Sequence, residues 1–133
     1  MLKIAGHRIG TAELEDAAVS HPKVIEAAVI GKSDPVKGES IVMFVRLKDR
    51  VKRTQTLRQD IINHMRKVIG SIATPDQIYF TSKLPKTRSG KIMRRVLKAV
   101  AEKASIGDLS TLEDEAAVDE VIRSYRELEE AKK

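Results

Sequence analysis

Hydrophobic positions change their period several times along the chain, and each change marks an element. Two apolar runs, 24–30 and 41–47, are rich in β-branched residues, and the turn formers Ser33, Asp34, Pro35 and Gly38 separate them. This pattern predicts paired strands, and the near-continuous hydrophobicity predicts that both faces are buried. From residue 57 the spacing becomes helical. Leu57, Ile61, Met65 and Ile69, joined by Ile62 and Val68, share one side, Thr56 with Gln59 forms a capping box, and Gly70 is the natural stop. Residues 77–81 fit a third strand, and Ile92, Val96, Leu97 and Val100 form the buried stripe of another helix, with a charged loop between them.

The ends of the chain complete the outline. Residues 3–10 read as a short hairpin turning at Gly6, and a helix should follow with Thr11 as its N-cap. Glu13, Glu15 and Asp16 lie in its first turns, where the helix dipole favours negative charge, and Pro22 ends it near Ser20. Thr111 with Asp114 caps a last amphipathic helix bearing Val118, Val121, Ile122, Tyr125 and Leu128, whose packing partner the pattern does not identify. The expected fold class is α+β. It comprises an amino-terminal β-hairpin, a three-stranded sheet packed by helices over residues 1–107, and an acidic helical tail over residues 108–133.

Composition restricts the chemistry. A chain of 133 residues with 41% apolar content can build one modest core. It has no run of about 18 apolar residues and no apolar leader, so no membrane span is expected and the expected address is cytoplasmic. Without cysteine there is no disulfide, thiolate zinc site or thiol nucleophile. Charge is segregated: residues 108–131 carry nine carboxylates against Arg123 and Arg126, leaving the rest strongly basic. A basic body attracts nucleic acid, acidic lipid or a phosphorylated cofactor, and charge alone does not choose. Tyr79, Tyr125, Phe44 and Phe80 are the only aromatics of their kind, too few for a base-stacking platform, which favours small phosphorylated ligands. His64 has no partner at ligand spacing and reads as structural.

Residues 83–98, KLPKTRSGKIMRRVLK, contain seven basic residues and no acid. A sharp bend at Gly90 would hold Lys91 at a helix start, where backbone N–H groups and the dipole reinforce its charge towards an anion. The alternative is a solvated basic helix end. A P-loop is excluded, because only one glycine precedes Lys91 and no Ser or Thr follows it.

PKTRSGK followed by IMRR closely resembles the lysine motif near the carboxyl end of AMP-forming acyl-CoA synthetases. GHRIGTAELE, residues 6–15, is similar to the motif just beyond that family's interdomain hinge, and HPKVIEAAVIG lies between the two as expected. GDLSTLED together with GHRIG looks most like acetyl-CoA and propionyl-CoA synthetases, so the resemblance covers nearly the whole chain. It implies the mobile carboxyl-terminal lid of an acid-thiol ligase. The acyl pocket, ATP phosphate loop and adenine site belong, in that family, to a large amino-terminal adenylation domain outside this sequence.

By the same resemblance, Lys91 is the catalytic lysine of adenylation and a known acylation site, which implies a lysine acetyltransferase and deacetylase as partners. Gly6 matches the glycine that admits the CoA pantetheine arm, Arg8 the arginine that meets the nucleotide phosphate, and Arg66 the arginine near a CoA phosphate. Ala5 stands where acetyl-CoA synthetases often have a serine close to CoA, so only backbone contact remains there. Val19, His21 and Val24 match positions described as holding Mg²⁺ through carbonyls and the histidine, although Mg²⁺ prefers carboxylate oxygens and His21 also reads as a helix-end residue. ATP, CoA and the Mg²⁺ that escorts ATP are the implied cofactors, and acetate or another short-chain carboxylate is the implied substrate. The isolated domain is expected to be inactive. A competing reading makes the chain a stand-alone basic module for nucleic acid or another polyanion, with strongly salt-dependent binding.

Overall fold

A computed structural model describes residues 2–4, 7–35, 38–70, 74–102, 112 and 114–131. The predicted pair of strands forms a long antiparallel hairpin of β3 (Val24–Asp34) and β4 (Gly38–Leu47). β5 (Gln77–Phe80) runs parallel to β4, from Val42↔Gln77 to Val45↔Phe80. Asp76 fixes that register: its Oδ2 accepts from the Ile41 N–H at 2.8 Å and its N–H donates to the Ile41 carbonyl at 2.8 Å. β1 (Leu2–Ile4) and β2 (His7–Ile9) form the amino-terminal hairpin, which joins β4 through Ile4↔Gly38. The α+β expectation holds.

Side chains alternate across the sheet, so each β-branched run serves two cores. Val29, Ile41, Met43, Val45, Ile78 and Phe80 meet α1 (Thr11–Val19) and α2 (Gln55–Ile69) on one face. Ala28, Ile30, Val42, Phe44 and Tyr79 meet α3 (Arg94–Ala101) and α4 (Ala116–Ala131) on the other. A bulge between Val24 and Glu26 shifts the phase. Val24 therefore shares the face of Ala27 and Ile25 is left 37% exposed, while Glu26, in phase with Ala28 and Ile30, lies on the α3 and α4 side opposite Arg46.

Two expected caps differ. Gly10, not Thr11, precedes α1 and makes no side-chain cap bond. Thr54, not Thr56, caps α2, with Oγ1 accepting from the Leu57 N–H at 3.0 Å. Thr111 lies outside the described residues, and Asp114 Oδ1 accepts from the Ala116 N–H at 2.9 Å at the start of α4.

The acidic helix also finds its partner. Val121, Tyr125 and Leu128 are buried against the sheet, Tyr125 tilts on Tyr79 with centroids 5.1 Å apart, and Tyr79 stacks on Phe44 at 5.2 Å. The Tyr79 hydroxyl donates to Glu129 at 2.7 Å. Arg53 adds ion pairs to Glu120 at 3.3 Å and Glu127 at 3.7 Å, so negative charge on α4 meets positive charge on the body. Among the described residues, no helix is long and apolar enough to cross a membrane.

Candidate functional site

The basic loop is a small closed hairpin. Lys86 and Ile92 bridge antiparallel across its foot, and Thr87 bridges to Leu112. The Thr87 N–H donates to the Lys91 carbonyl at 2.8 Å, the Gly90 N–H to the Thr87 carbonyl at 2.9 Å, and the Lys91 N–H to Thr87 Oγ1 at 3.2 Å. Gly90 makes the reversal at φ +91, a region that residues with a Cβ avoid. Immediately beyond, the Met93 N–H donates to the Pro85 carbonyl at 2.8 Å, and Met93 packs with Val96, Leu112 and Val118.

Lys91 stands at the rim of this hairpin, exposed. It is not at the helix start: α3 begins at Arg94, and the Lys91 N–H is already taken by Thr87 Oγ1. The charge presented to an anion is therefore the side-chain ammonium on its flexible stem, without an added helix N-terminus. Among the described residues its ammonium makes no ion pair. Its neighbours differ. Lys83 pairs with Asp114 at 3.0 Å, Lys86 with Glu26, and Arg94 with Glu15, so at least three of the seven basic residues are committed to the domain itself.

Two carboxylates organise this region, Glu15, read from the sequence only as a first-turn acid of α1, and Glu26, to which the sequence reading gave no role. Glu15 on α1 accepts from the Val29 N–H at 2.8 Å and from Arg94 Nε at 3.1 Å, tying α1, the outer edge of β3 and the start of α3 together. Glu26 accepts from Arg46 at 3.1 Å and from Lys86 at the foot of the loop. Burial by itself would raise the Glu26 pKa, but the hydrogen bonds from Lys86 and Arg46 outweigh it and hold the carboxyl below its ordinary value. Separations of 79 residues for Glu15 and Arg94 and 60 for Glu26 and Lys86 leave no local pattern from which either pair could be read.

Arg66 is exposed on α2, which packs on the opposite face of the sheet from the loop's anchor. Arg8 falls in β2, while Ala5 and Gly6 lie outside the described residues. Val19, His21 and Val24 are adjacent at the junction of α1 and β3, with Val19 exposed and the other two buried. His21 Nδ1 accepts from the Lys23 N–H at 3.1 Å, which places the ring proton on Nε2, 2.6 Å from Asp60 Oδ2. Both ring nitrogens are thus engaged, and the His21 carbonyl accepts from the Val24 N–H at 3.1 Å. The His21 hydrogen bond lowers the Asp60 pKa. The imidazole does not fit a Mg²⁺ ligand here. His64 has the structural role expected of it: its Nε2 is 2.7 Å from Ser20 Oγ, which donates to the Ala17 carbonyl.

The family described as the AMP-binding enzyme C-terminal domain matches residues 13–91, more than half of the chain, and the match ends on Lys91. The chain belongs to this family. Acetyl-coenzyme A synthetase of Pyrobaculum arsenaticum is 58% identical to this C-terminal domain over 96% of its length. The 3-hydroxypropionyl-coenzyme A synthetase of Metallosphaera sedula is 57% identical over 96%. The C-terminal domain spans 19% of each of these relatives, about a fifth of their length. A crystal structure of Brucella canis acyl-CoA synthetase matches with a TM-score of 0.70 and 41% identity, covering 72% of this chain and 18% of that one. An anthranilate CoA ligase in complex with anthranoyl-AMP matches at 0.72 and 33%, covering 77% and 20%.

Proposed function

We propose that this domain is the mobile carboxyl-terminal part of an AMP-forming acetyl-CoA or other short-chain acyl-CoA synthetase, and that Lys91 serves its adenylation step. The observation that carries this reading is an exposed ammonium, unpaired among the described residues, on a loop held by hydrogen bonds within itself and by ion pairs to the rest of the domain. In that step a carboxylate oxygen bonds to the α-phosphorus of ATP and pyrophosphate leaves. Two anions must approach, and Lys91 lowers their repulsion by bridging carboxylate and α-phosphate. In the second step the CoA thiol loses its proton, sulfur bonds to the acyl carbon, and AMP leaves.

Arg66 and Arg8 supply positive charge to the CoA phosphate and the nucleotide phosphate in the second step, with Gly6 and Ala5 admitting the pantetheine arm. The separation of Arg66 from the Lys91 loop across the sheet supports a domain that presents different surfaces in turn. Mg²⁺ would accompany ATP in the large amino-terminal domain, and no step depends on His21. Short-chain carboxylate selection also belongs to that domain, since relatives equally similar to this chain, at 58% and 57% identity, carry acetyl-CoA and 3-hydroxypropionyl-CoA names. A cytoplasmic address fits these substrates. Exposure of Lys91 makes it accessible to a lysine acetyltransferase, and acetylation would remove the charge that adenylation needs. The pairing of Lys83, Lys86 and Arg94 within the domain weighs against a polyanion-binding module.

In the complete enzyme, Lys91→Ala should lower acid-dependent ATP and pyrophosphate exchange by about 10² to 10³, or about 3 to 4 kcal/mol of barrier. Thioester formation from supplied acyl-AMP should persist. Unchanged exchange would overturn the assignment.

A further inference from the structure

We infer that Glu26 is a positioning residue for adenylation, acting on Lys91 through Lys86; this rests on the assignment of Lys91 above. Glu26 sits on the central hairpin immediately after the β3 bulge, directly across from Arg46, so the rigid sheet sets its position. Its side chain is 23% exposed, and its two oxygens face two different cations: Lys86 on Oε1 and Arg46, at 3.1 Å, on Oε2. Lys86 is one end of the bridge that closes the catalytic hairpin, and Ile92, its partner, follows Lys91 directly. Thr87, next to Lys86, receives the Lys91 N–H and donates its own N–H to the Lys91 carbonyl. A continuous line of bonded groups therefore runs from the sheet through Glu26, Lys86 and Thr87 to the backbone of Lys91.

Alternation along β3 gives this arrangement its direction: Glu26 is in phase with Ala28 and Ile30 and so lies on the α3 and α4 face, towards the loop. Neutralising Glu26 leaves Lys86 and Arg46 beside each other with no counter-charge, which drives the loop foot outward and displaces Lys91. A displacement on the order of 1 Å at a reacting centre costs up to about 100-fold in rate. Loss of Glu26 should consequently act on the step that uses Lys91 and spare the step from which Lys91 has withdrawn.

The test uses the complete synthetase with Glu26→Gln, Lys86→Gln, the double variant and Lys91→Ala, measuring ATP and pyrophosphate exchange and, separately, thioester formation from supplied acyl-AMP. Each single Gln variant should lower kcat for exchange by about 10- to 100-fold, leave KM for ATP unchanged and preserve the thioester half-reaction. The double variant replaces the ion pair with a neutral amide pair of similar shape and should recover part of the loss. Glu26→Gln with unchanged exchange, or with both half-reactions falling in parallel, would overturn the inference. Should Glu26→Gln fail to fold, Lys86→Gln decides by the same two outcomes. Lys91→Ala separates the claims: intact exchange in that variant removes the assignment of Lys91, whereas abolished exchange beside a normal Glu26→Gln removes only the role of Glu26.

Discussion

Thr54 holds extended backbone at φ −124 and ψ 157, and its Oγ1 satisfies the Leu57 N–H, one of the donors that a helix start leaves open. Thr54→Ala should cost about 1 kcal/mol in urea denaturation, whereas Thr56→Ala, inside the first turn and exposed, should cost a few tenths at most. The run of residues 54–57 contains two threonines two positions apart, and the Thr56 and Gln59 spacing imitates a capping box. Which one caps depends on where the chain after β4, which ends at Leu47, turns into α2, a matter of chain path and not of composition. Lys91 shows the same division. Its residue type and the glycine before it mark the loop in the sequence, but the hydrogen bond from its N–H to Thr87 removes the expected helix-start contribution.

At the scale of elements, α4 covers the second face of the sheet, and its stripe of Val121, Tyr125 and Leu128 completes the core begun by Phe44, Tyr79 and Leu97. Leu128→Ala should therefore destabilise the domain by about 2 to 4 kcal/mol, measured by thermal or urea unfolding. An unchanged midpoint would mean that α4 does not belong to the folded unit. The helical period of this segment is plain in the sequence, and so is the two-faced burial of β3 and β4. Their connection is not. Tyr79 and Glu129 are 50 residues apart, and an amphipathic stripe states that it needs a partner without stating which. Arg58 illustrates the same limit: it stacks 4.6 Å over Phe80 and donates to the Ile78 carbonyl at 3.0 Å, contacts that exist only once α2 lies on β5.

For the whole molecule, the distribution of ion pairs sets how stability responds to pH. Burial pushes the Glu26 and Glu120 carboxyls up, but cationic and hydrogen-bonding partners leave both below their ordinary values. Hydrogen bonds from His21 to Asp60 and from Lys83 to Asp114 lower those two as well. A carboxyl with a lowered pKa binds its proton more weakly when folded, so its stabilisation is present above the ordinary carboxylate range and disappears as pH falls below it. Burial raises Tyr79 and Tyr125, so their contribution is present below about pH 10 and is lost above it. Unfolding free energy should be flat between about pH 5 and 9 and fall on either side; circular dichroism during denaturation across that range checks the profile.

The sequence by itself determined the order of strands and helices, the two-sided burial of the central hairpin and the lysine-bearing loop, because periodicity, turn chemistry and a local motif act over a few residues. Only the tertiary structure decided the parallel seat of β5, the docking of α4, and the carboxylates that hold the loop. Those features join groups tens of residues apart, and a single-residue bulge settles which face Val24 occupies. Long-range pairing follows from how the layers close around a shared core, and neither local propensity nor charge order along the chain contains that information.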